Sequence, residues 1–157
     1  MRLTNMLKGE YEMKIGFTGT REGMTKVQRA FVVRAVGRCH INEVHHGGCV
    51  GADEDFHRIA LLLKLNTHVH FGCNSQGNSP SRMEETTEVK GLAIKVYDPA
   101  PYLTRDKHIV DAVDMLIATP KGFKEELRSG TWATIRYAKK KHKKILIVYP
   151  DGTYYVN

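Results

Sequence analysis

The sequence predicts an α/β protein: a Rossmann-like, doubly wound, mostly parallel sheet with helices on both faces, in a single domain. Short apolar segments alternate with longer amphipathic segments along the 157 residues. This order of strands and helices produces a parallel sheet through right-handed crossovers. Glycine-bearing turns also follow three of the apolar segments, and such turns between a strand and a helix are typical of these folds.

The first elements lie near the N-terminus. Residues 1–12 show no clear period and are interpreted as an N-terminal extension, so the domain spans 13–157 and begins with a strand at 13–17. Thr25 and Gln28 form a capping-box pattern, which predicts the start of a helix. The apolar face of this helix is predicted at Val27, Ala30, Phe31 and Ala35.

A short strand at 43–46 and a helix at about 52–64 come next. The helix has apolar residues at core spacing, namely Phe56, Ile59, Ala60 and Leu63. Residues 67–71 alternate as a third strand. Residues 72–90 are rich in glycine, asparagine and serine, which predicts a polar loop with room for a short helix near 82–89.

The second half of the chain repeats the alternation. A fourth strand at 92–97 is predicted to end at the segment Asp98–Pro101, which contains two prolines. The remaining predicted elements are a helix at 104–111, a strand at 115–119, a helix at 131–141 and a closing strand at 144–149.

Composition is that of a globular domain with reduced cysteines. Hydrophobic residues make up 41% of the chain, which is enough to bury one core. No apolar run approaches the roughly 20 residues of a membrane helix, and the N-terminus has no signal-peptide hydrophobic stretch. The cysteines Cys39, Cys49 and Cys73 have no CxxC spacing. We therefore expect a cytoplasmic protein without a membrane partner.

The formal net charge is +7, and much of the excess lies in the segment RYAKKKHKK at 136–144. Two interpretations stay open. The segment is a solvated helix face whose cations suit the negative end of the helix dipole, or it attracts an anionic ligand or nucleic acid.

The three glycine turns are the candidate binding site. Their residues are Thr18, Gly19, Thr20 and Arg21 in the first turn, His46, Gly47, Gly48, Gly51 and Asp53 in the second, and Ser129, Gly130, Thr131 and Trp132 in the third. The carboxyl ends of parallel strands share one edge of the sheet, where ligands bind. Because glycine lacks a Cβ, its backbone N–H can approach an anion closely. We therefore expect a small nucleotide-like ligand.

Several of these residues have two interpretations. Arg21 either pairs with a phosphate or is a surface arginine. Asp53 either caps its helix or accepts hydrogen bonds from a ribose. One of Ser129 and Thr131 is expected to be the N-cap of a helix, and Trp132 either stacks on a base or belongs to the core.

Standard fingerprints of cofactor and metal sites are missing from the sequence. His46 stands where the first glycine of GxGxxG would be, and there is no GxxxxGK[ST] and no GxSxG. The residues that invite a metal interpretation are His45, His46, Cys49, Asp53 and His57. They lack the spacing of a known zinc site, and so do His68 and His70, which share one face of a strand. We expect no metal and no cofactor.

Together the motifs resemble the SLOG superfamily, which unites the DNA-processing protein A family and the LOG family of phosphoribohydrolases, often described as lysine decarboxylase-like. The resemblance is carried by GFTGTR at 16–21, HHGGCVGAD at 45–53, PYLTRDKHIVDAVDMLIATPKG at 101–122 and RSGTWATIRYAKK at 128–140. It points to small stand-alone bacterial or phage members, and it implies a nucleotide pocket and a homo-oligomer, either a dimer or a tetramer. It adds Arg105, Asp111 and Pro120 to the candidate binding residues.

One departure from the family bears on catalysis. LOG-type hydrolases carry PGGxGT followed by a glutamate that serves glycosidic cleavage, whereas residues 132–134 after Gly130–Thr131 include no acid. We assign no catalytic residue. Three functions stay open: nucleotide binding as a sensor or sequestering module, N-glycoside hydrolysis with Glu125 or Glu126 as the base, and single-stranded nucleic-acid binding through 136–144.

Overall fold

The structure is a computed structural model that describes residues 12–84 and 93–157. Residues 1–11 of the predicted N-terminal extension, and most of the short helix considered near 82–89, lie outside the described residues. The described elements in chain order are β1 (Met13–Gly19), α1 (Lys26–Gly37), β2 (Ile41–His46), α2 (Ala52–Leu62), β3 (Asn66–Cys73), β4 (Ile94–Pro101), α3 (Tyr102–Ala112), β5 (Met115–Thr119), α4 (Gly130–Lys140), β6 (Lys144–Val148) and β7 (Tyr154–Val156).

The seven strands form one sheet in the order β4-β3-β2-β1-β5-β6-β7. Neighbouring strands are parallel except for β6 and β7, which are antiparallel. The chain moves outward from β1 to β4 and then returns to place β5 on the other side of β1. This reversal opens a crevice at the carboxyl ends of β1 and β5, the usual position of a ligand in such folds. The predicted Rossmann-like fold class is confirmed.

Alternating residues of β5 divide the core between the two faces of the sheet. Met115 and Ile117 pack in the cluster that contains the buried residues of α1 and α2, including Phe56. Leu116 and Ala118 point the other way, into the cluster that contains the buried residues of α4 and Val110 of α3. The sheet is therefore covered on both faces, as a strand with a continuous apolar sequence requires.

Both edges of the sheet differ from prediction. β4 continues through Asp98 to Pro101 instead of ending at 97. Among the described strands β4 lies at the edge of the sheet, where a proline is tolerated because its missing N–H can face away from the neighbouring strand. At the other edge, residues 154–156 form β7, which was not predicted. α3 follows β4 directly and begins at Tyr102, two residues before the predicted start.

The predicted apolar face of the first helix is correct at Ala35, which is buried, and at Phe31, which packs against the core, but wrong at Val27 and Ala30, which are exposed. Val27 is 50% exposed, and the buried residues of α1 are Gln28, Val32, Ala35 and Val36. The capping box of Thr25 and Gln28 is present as predicted. The Gln28 Nε2 also donates to the carbonyl oxygens of Pro120 and Val148, both at 2.9 Å. This polar side chain therefore faces the sheet and sets the rotation of the helix.

Within the described ranges, no helix combines the length and the apolar character needed to cross a bilayer.

Candidate functional site

A cleft of about 470 Å³ lies at the carboxyl ends of β1 and β5. The predicted binding residues that line it are Thr18, Gly19, Thr20, Arg21, Gly47, Asp53, Arg105, Ser129, Gly130, Thr131 and Trp132. The structure thus brings the first and third glycine turns together. From the second turn, only Gly47 and Asp53 of the predicted residues reach the cleft.

Five predicted binding residues lie outside this lining: His46, Gly48, Gly51, Asp111 and Pro120. His46 is buried, and its Nε2 lies 2.9 Å from the Nδ1 of His57. Asp111 is exposed on α3, where its carboxylate accepts a hydrogen bond from the Tyr137 hydroxyl at 2.9 Å. Pro120 is buried and serves as an acceptor for the capping side chain of α1. Each therefore has a contact inside the fold and no contact with the cleft.

The second glycine turn supports the cleft from behind. Gly48 has a φ of +64°, and a Cβ there would overlap the ring of Phe71. Gly51 has a φ of +91°, and a Cβ there would overlap the backbone of Arg21. Both positions therefore require glycine for backbone conformation and for packing. The sequence analysis took these two glycines as part of a binding site. In the structure they are needed because a side chain at either position would clash.

Arg105 is the buried cation of the cleft, with only 6% of its surface exposed. Its Nη1 donates to the carbonyl oxygens of Gly47 and His70, the latter at 3.0 Å. Its Nε donates to Asp106 at 2.7 Å, and its Nη2 lies 3.7 Å from the Cys49 Sγ. The guanidinium therefore joins the ends of β2 and β3 to α3, and most of its donors are used within the protein.

Asp53 lies beneath the second turn. Its Oδ2 accepts a hydrogen bond from the backbone N–H of Cys49 at 3.2 Å. Burial raises the pKa of Asp53 to about 6, against the opposing effect of the Arg105 guanidinium. Burial also raises the pKa of Asp106, again opposed by Arg105. The cleft therefore holds two carboxyl groups whose charged forms depend on one arginine.

The raised pKa predicts a pH-dependent stability. Relative to the Asp53→Asn variant, we expect the free energy of unfolding of the unmodified protein to fall as the pH rises from about 4 to about 6. In this window the native state binds more protons than the unfolded state, so raising the pH favours unfolding. The difference between about 6 and the ordinary pKa of 3.8 corresponds to about 3 kcal/mol. Urea unfolding of both proteins across this range measures it, and a constant difference would contradict the raised pKa.

The N-terminus of α4 presents backbone donors to the cleft. Ser129 is the N-cap, and its hydroxyl accepts from the backbone N–H of Trp132 at 3.3 Å. The N–H groups of Gly130 and Thr131 have no acceptor among the described residues. Trp132 is 6% exposed and belongs to the core cluster of this face. Its ring is a core side chain that also borders the cleft.

Arg21 and Tyr102 form the opposite wall. Arg21 is exposed, and its guanidinium carbon lies 5.5 Å from the centroid of the Tyr102 ring. Among the described residues, Arg21 forms no ion pair. Tyr102 was not among the predicted binding residues, although it lies in the segment 101–122 that carried the resemblance. The other lining residues outside the predicted set are Phe17, Glu22, Cys49, Leu103, Asp106, Ile109, Lys121, Glu126 and Arg128.

The two glutamates considered as general bases are placed differently. Glu125 pairs with Arg136 at 3.0 Å and does not line the cleft, whereas Glu126 is exposed and does. The basic segment 136–144 begins in the second half of α4, away from the N-terminus that faces the cleft. Its Lys143 donates to the carbonyl oxygen of Val113 at 2.8 Å. Two cations of this segment are thus engaged within the fold.

Comparisons with known proteins support the fold and show no family. No protein-family model matches the chain, and no curated protein sequence matches it. Among solved structures, the chain is similar to the molybdenum cofactor binding protein from the phototrophic bacterium Rippkaea orientalis. The TM-score is 0.58 at 18% sequence identity, over 90% of this chain and 78% of that chain. At this identity the likeness establishes the fold alone.

The predicted membership of the SLOG superfamily is wrong. The structural relative is described as a molybdenum cofactor binding protein, and no family model supports the assignment. The physical reason lies in the motifs that carried it. They are short glycine turns, and the structure gives Gly48 and Gly51 packing roles that strand–turn–helix units of many functions require. The homo-oligomer, the cytoplasmic location and the nucleic-acid partner stay predictions.

Proposed function

We propose that the protein binds a small phosphate-bearing ligand, a nucleotide or nucleotide derivative, in the cleft at the carboxyl ends of β1 and β5. The observation that carries this proposal is the convergence of the first glycine turn, Arg21 and the α4 N-terminus on one cavity. Backbone N–H groups at a helix N-terminus attract anions, and an arginine can pair with phosphate through two donors. A volume of about 470 Å³ is suitable for a small-molecule ligand.

The mixed charge of the cleft favours a ligand with both anionic and hydroxyl groups. Its exposed wall carries Arg21 and Arg128, while its interior carries the buried carboxyl groups of Asp53 and Asp106. Carboxylates repel phosphate but accept hydrogen bonds from sugar hydroxyls. A phosphate near Arg21 and the α4 N-terminus, with a sugar directed toward Asp53, satisfies both ends.

The structurally similar protein supports a small-molecule ligand and suggests a second candidate for its identity. That protein is described as binding a molybdenum cofactor. The same cleft, with its exposed arginines and helix N-terminus, suits an anionic cofactor. Molybdenum analysis of the purified protein tests this ligand separately from nucleotides. Molybdenum at the level of one atom per chain would favour the cofactor over a nucleotide.

Arg21→Gln is expected to lower the affinity for the ligand at least about tenfold while leaving the stability unchanged. Arg21 is exposed and makes no ion pair among the described residues, so its removal disturbs little of the fold. A hydrogen bond between charged groups contributes roughly 1.5 to 3 kcal/mol, and 1.4 kcal/mol is about tenfold in affinity. Isothermal titration with AMP, NAD and ADP-ribose measures the change.

The matched control is Arg34→Gln, which removes an exposed arginine from the last turn of α1, outside the cleft. It should bind like the unmodified protein. Two results would overturn the proposal: no binding of any of these ligands, or of a molybdenum cofactor, by folded protein at millimolar concentration, or equal losses in the two arginine variants.

Turnover is the second candidate function, and the position of Glu126 favours it. This exposed glutamate borders the cleft, where a carboxylate could act as a general base. Chromatography of nucleoside monophosphates after prolonged incubation would detect released base. Base release that is lost in Glu126→Gln and kept in Glu125→Gln would establish hydrolysis. If the nucleotide stays intact, the protein binds it without hydrolysing it.

A further inference from the structure

A second polar cluster lies on the sheet, and none of its members lines the cleft. Glu43 and His45 are on β2, His68 and His70 are on β3, and Tyr97 is on β4. Residues two apart in a strand point to the same face. The parallel register places His45 beside His68 and His70 beside Tyr97. Three neighbouring strands therefore bring these five side chains to one face.

Three of the side chains converge on one point. Glu43 Oε1 lies 2.7 Å from His45 Nε2, and Glu43 Oε2 lies 3.4 Å from His68 Nε2. One ligand atom from each of the three residues lies within 4.8 Å of the others. His45 is buried, whereas the side chains of Glu43 and His68 are 19% and 18% exposed. Solvent can therefore reach one side of the convergence point.

The other ring nitrogen of each histidine is held by a hydrogen bond. His45 Nδ1 lies 2.8 Å from His70 Nε2, and His68 Nδ1 lies 2.9 Å from the Tyr97 hydroxyl oxygen. Such outer hydrogen bonds fix the ring orientation of histidines that bind metals.

We propose that the carboxylate of Glu43 and the Nε2 atoms of His45 and His68 bind a divalent transition metal ion of the zinc class. Two imidazoles and one carboxylate form a known zinc ligand set that leaves a fourth position for water or another ligand. Magnesium and calcium prefer oxygen ligands throughout. Ligand atoms at about 2.0 Å from one ion in tetrahedral geometry lie about 3.3 Å apart. The two carboxylate–imidazole distances, 2.7 and 3.4 Å, lie on either side of this value.

Two interactions of Glu43 change when the metal binds. The first is its hydrogen bond with His45 Nε2: for Nε2 to bind the metal, the neutral ring carries its proton on Nδ1, which then donates to His70 Nε2. The second is the contact with the Lys14 ammonium, 3.6 Å from Glu43 Oε1. The Lys14 side chain is 47% exposed, so it can turn into solvent without leaving a buried charge unpaired.

The chain spacing of these ligands explains why the sequence pattern indicated His45 and His68 separately and did not include Glu43. Zinc motifs are recognised when two ligands lie a few residues apart on one turn or helix. Here Glu43 and His45 are on one strand and His68 is on the next. The set is therefore visible only after the register of β2 and β3 is known.

The test is a titration of the metal-free full-length protein with Zn²⁺. The unmodified protein should bind one ion per chain, and Glu43→Gln and His68→Gln should each lose more than about tenfold in affinity. Tyr97→Phe removes an outer hydrogen bond and should cost about tenfold. The matched control is His40→Gln, which removes an exposed histidine outside the cluster and should have no effect.

A Co²⁺ spectrum separates this cluster from the cysteines, since Cys39, Cys49 and Cys73 are free thiols. Nitrogen and oxygen ligands give no thiolate charge-transfer band. The proposal is overturned if the unmodified protein binds no Zn²⁺, if His68→Gln retains full affinity, or if the thiolate band accompanies the bound ion. Circular dichroism checks that each variant is folded. If Glu43→Gln does not fold, the affinity of His68→Gln for Zn²⁺ tests the proposal, because His68 is partly exposed.

Discussion

Arg105→Ala is expected to lower the free energy of unfolding by about 4 kcal/mol. The guanidinium is buried and donates to Asp106 and to the carbonyl oxygens of Gly47 and His70. Removing it takes one donor from each of these acceptors and takes the neighbouring cation from the buried carboxyl groups of Asp106 and Asp53. Breaking a buried ion pair from one side costs roughly 3 to 5 kcal/mol. Urea unfolding at neutral pH measures the loss.

The control for Arg105→Ala is Arg58→Ala. Arg58 forms ion pairs with Glu54 and Asp55 on α2, but its side chain is 67% exposed. An exposed pair of this kind contributes about 0 to 1 kcal/mol. Equal losses in the two variants would show that the network around Arg105 adds no stability beyond that of a surface ion pair. Arg105→Lys should also be destabilised, because an ammonium cannot reproduce the planar fork.

The fold class was predictable because the pattern of apolar residues along the chain indicates which side chains are buried. The segment 115–118 is apolar at every position, and all of β5 is buried, on both faces, at the centre of the sheet. The edges were not predictable by the same rule. Asp98 and Pro99 indicate the end of a strand only where the backbone has to pair on both sides. Among the described strands, β4 pairs only with β3. Whether a strand lies at an edge depends on the topology, which local sequence does not specify.

The candidate site was partly predictable for a related reason. The first and third turns follow the adjacent strands β1 and β5, so their convergence follows from the sheet order. The partners of Arg105 lie 35 and 58 residues away along the chain, at His70 and Gly47. No local pattern distinguishes an arginine that is committed to such carbonyl groups from one that is free to meet a phosphate. Arg21 is exposed and free to meet a phosphate, but the sequence alone did not distinguish it from Arg105.

Gly51→Ala is expected to lower the free energy of unfolding by about 4 kcal/mol and to weaken ligand binding as well. The residue has a φ of +91°, which costs an alanine roughly 1 to 3 kcal/mol. Its Cβ would also overlap the carbonyl group of Arg21. The first turn cannot retreat freely, because the Thr20 carbonyl accepts from the N–H of Ala52 at 2.9 Å. Forced displacement in a packed region adds about 1 to 3 kcal/mol.

Gly77→Ala separates the cost of the backbone conformation from the cost of the steric overlap. Gly77 has a φ of +79° but has open space where a Cβ would lie. It should therefore lose only the backbone part, about 1 kcal/mol. Chemical denaturation gives both stabilities, and titration with the nucleotide ligand gives both affinities. Since Gly51 contacts the first turn directly, its variant should move Arg21 and lose affinity where Gly77→Ala loses none. Equal stability losses would mean that the contact between the first two turns is not what requires glycine at position 51.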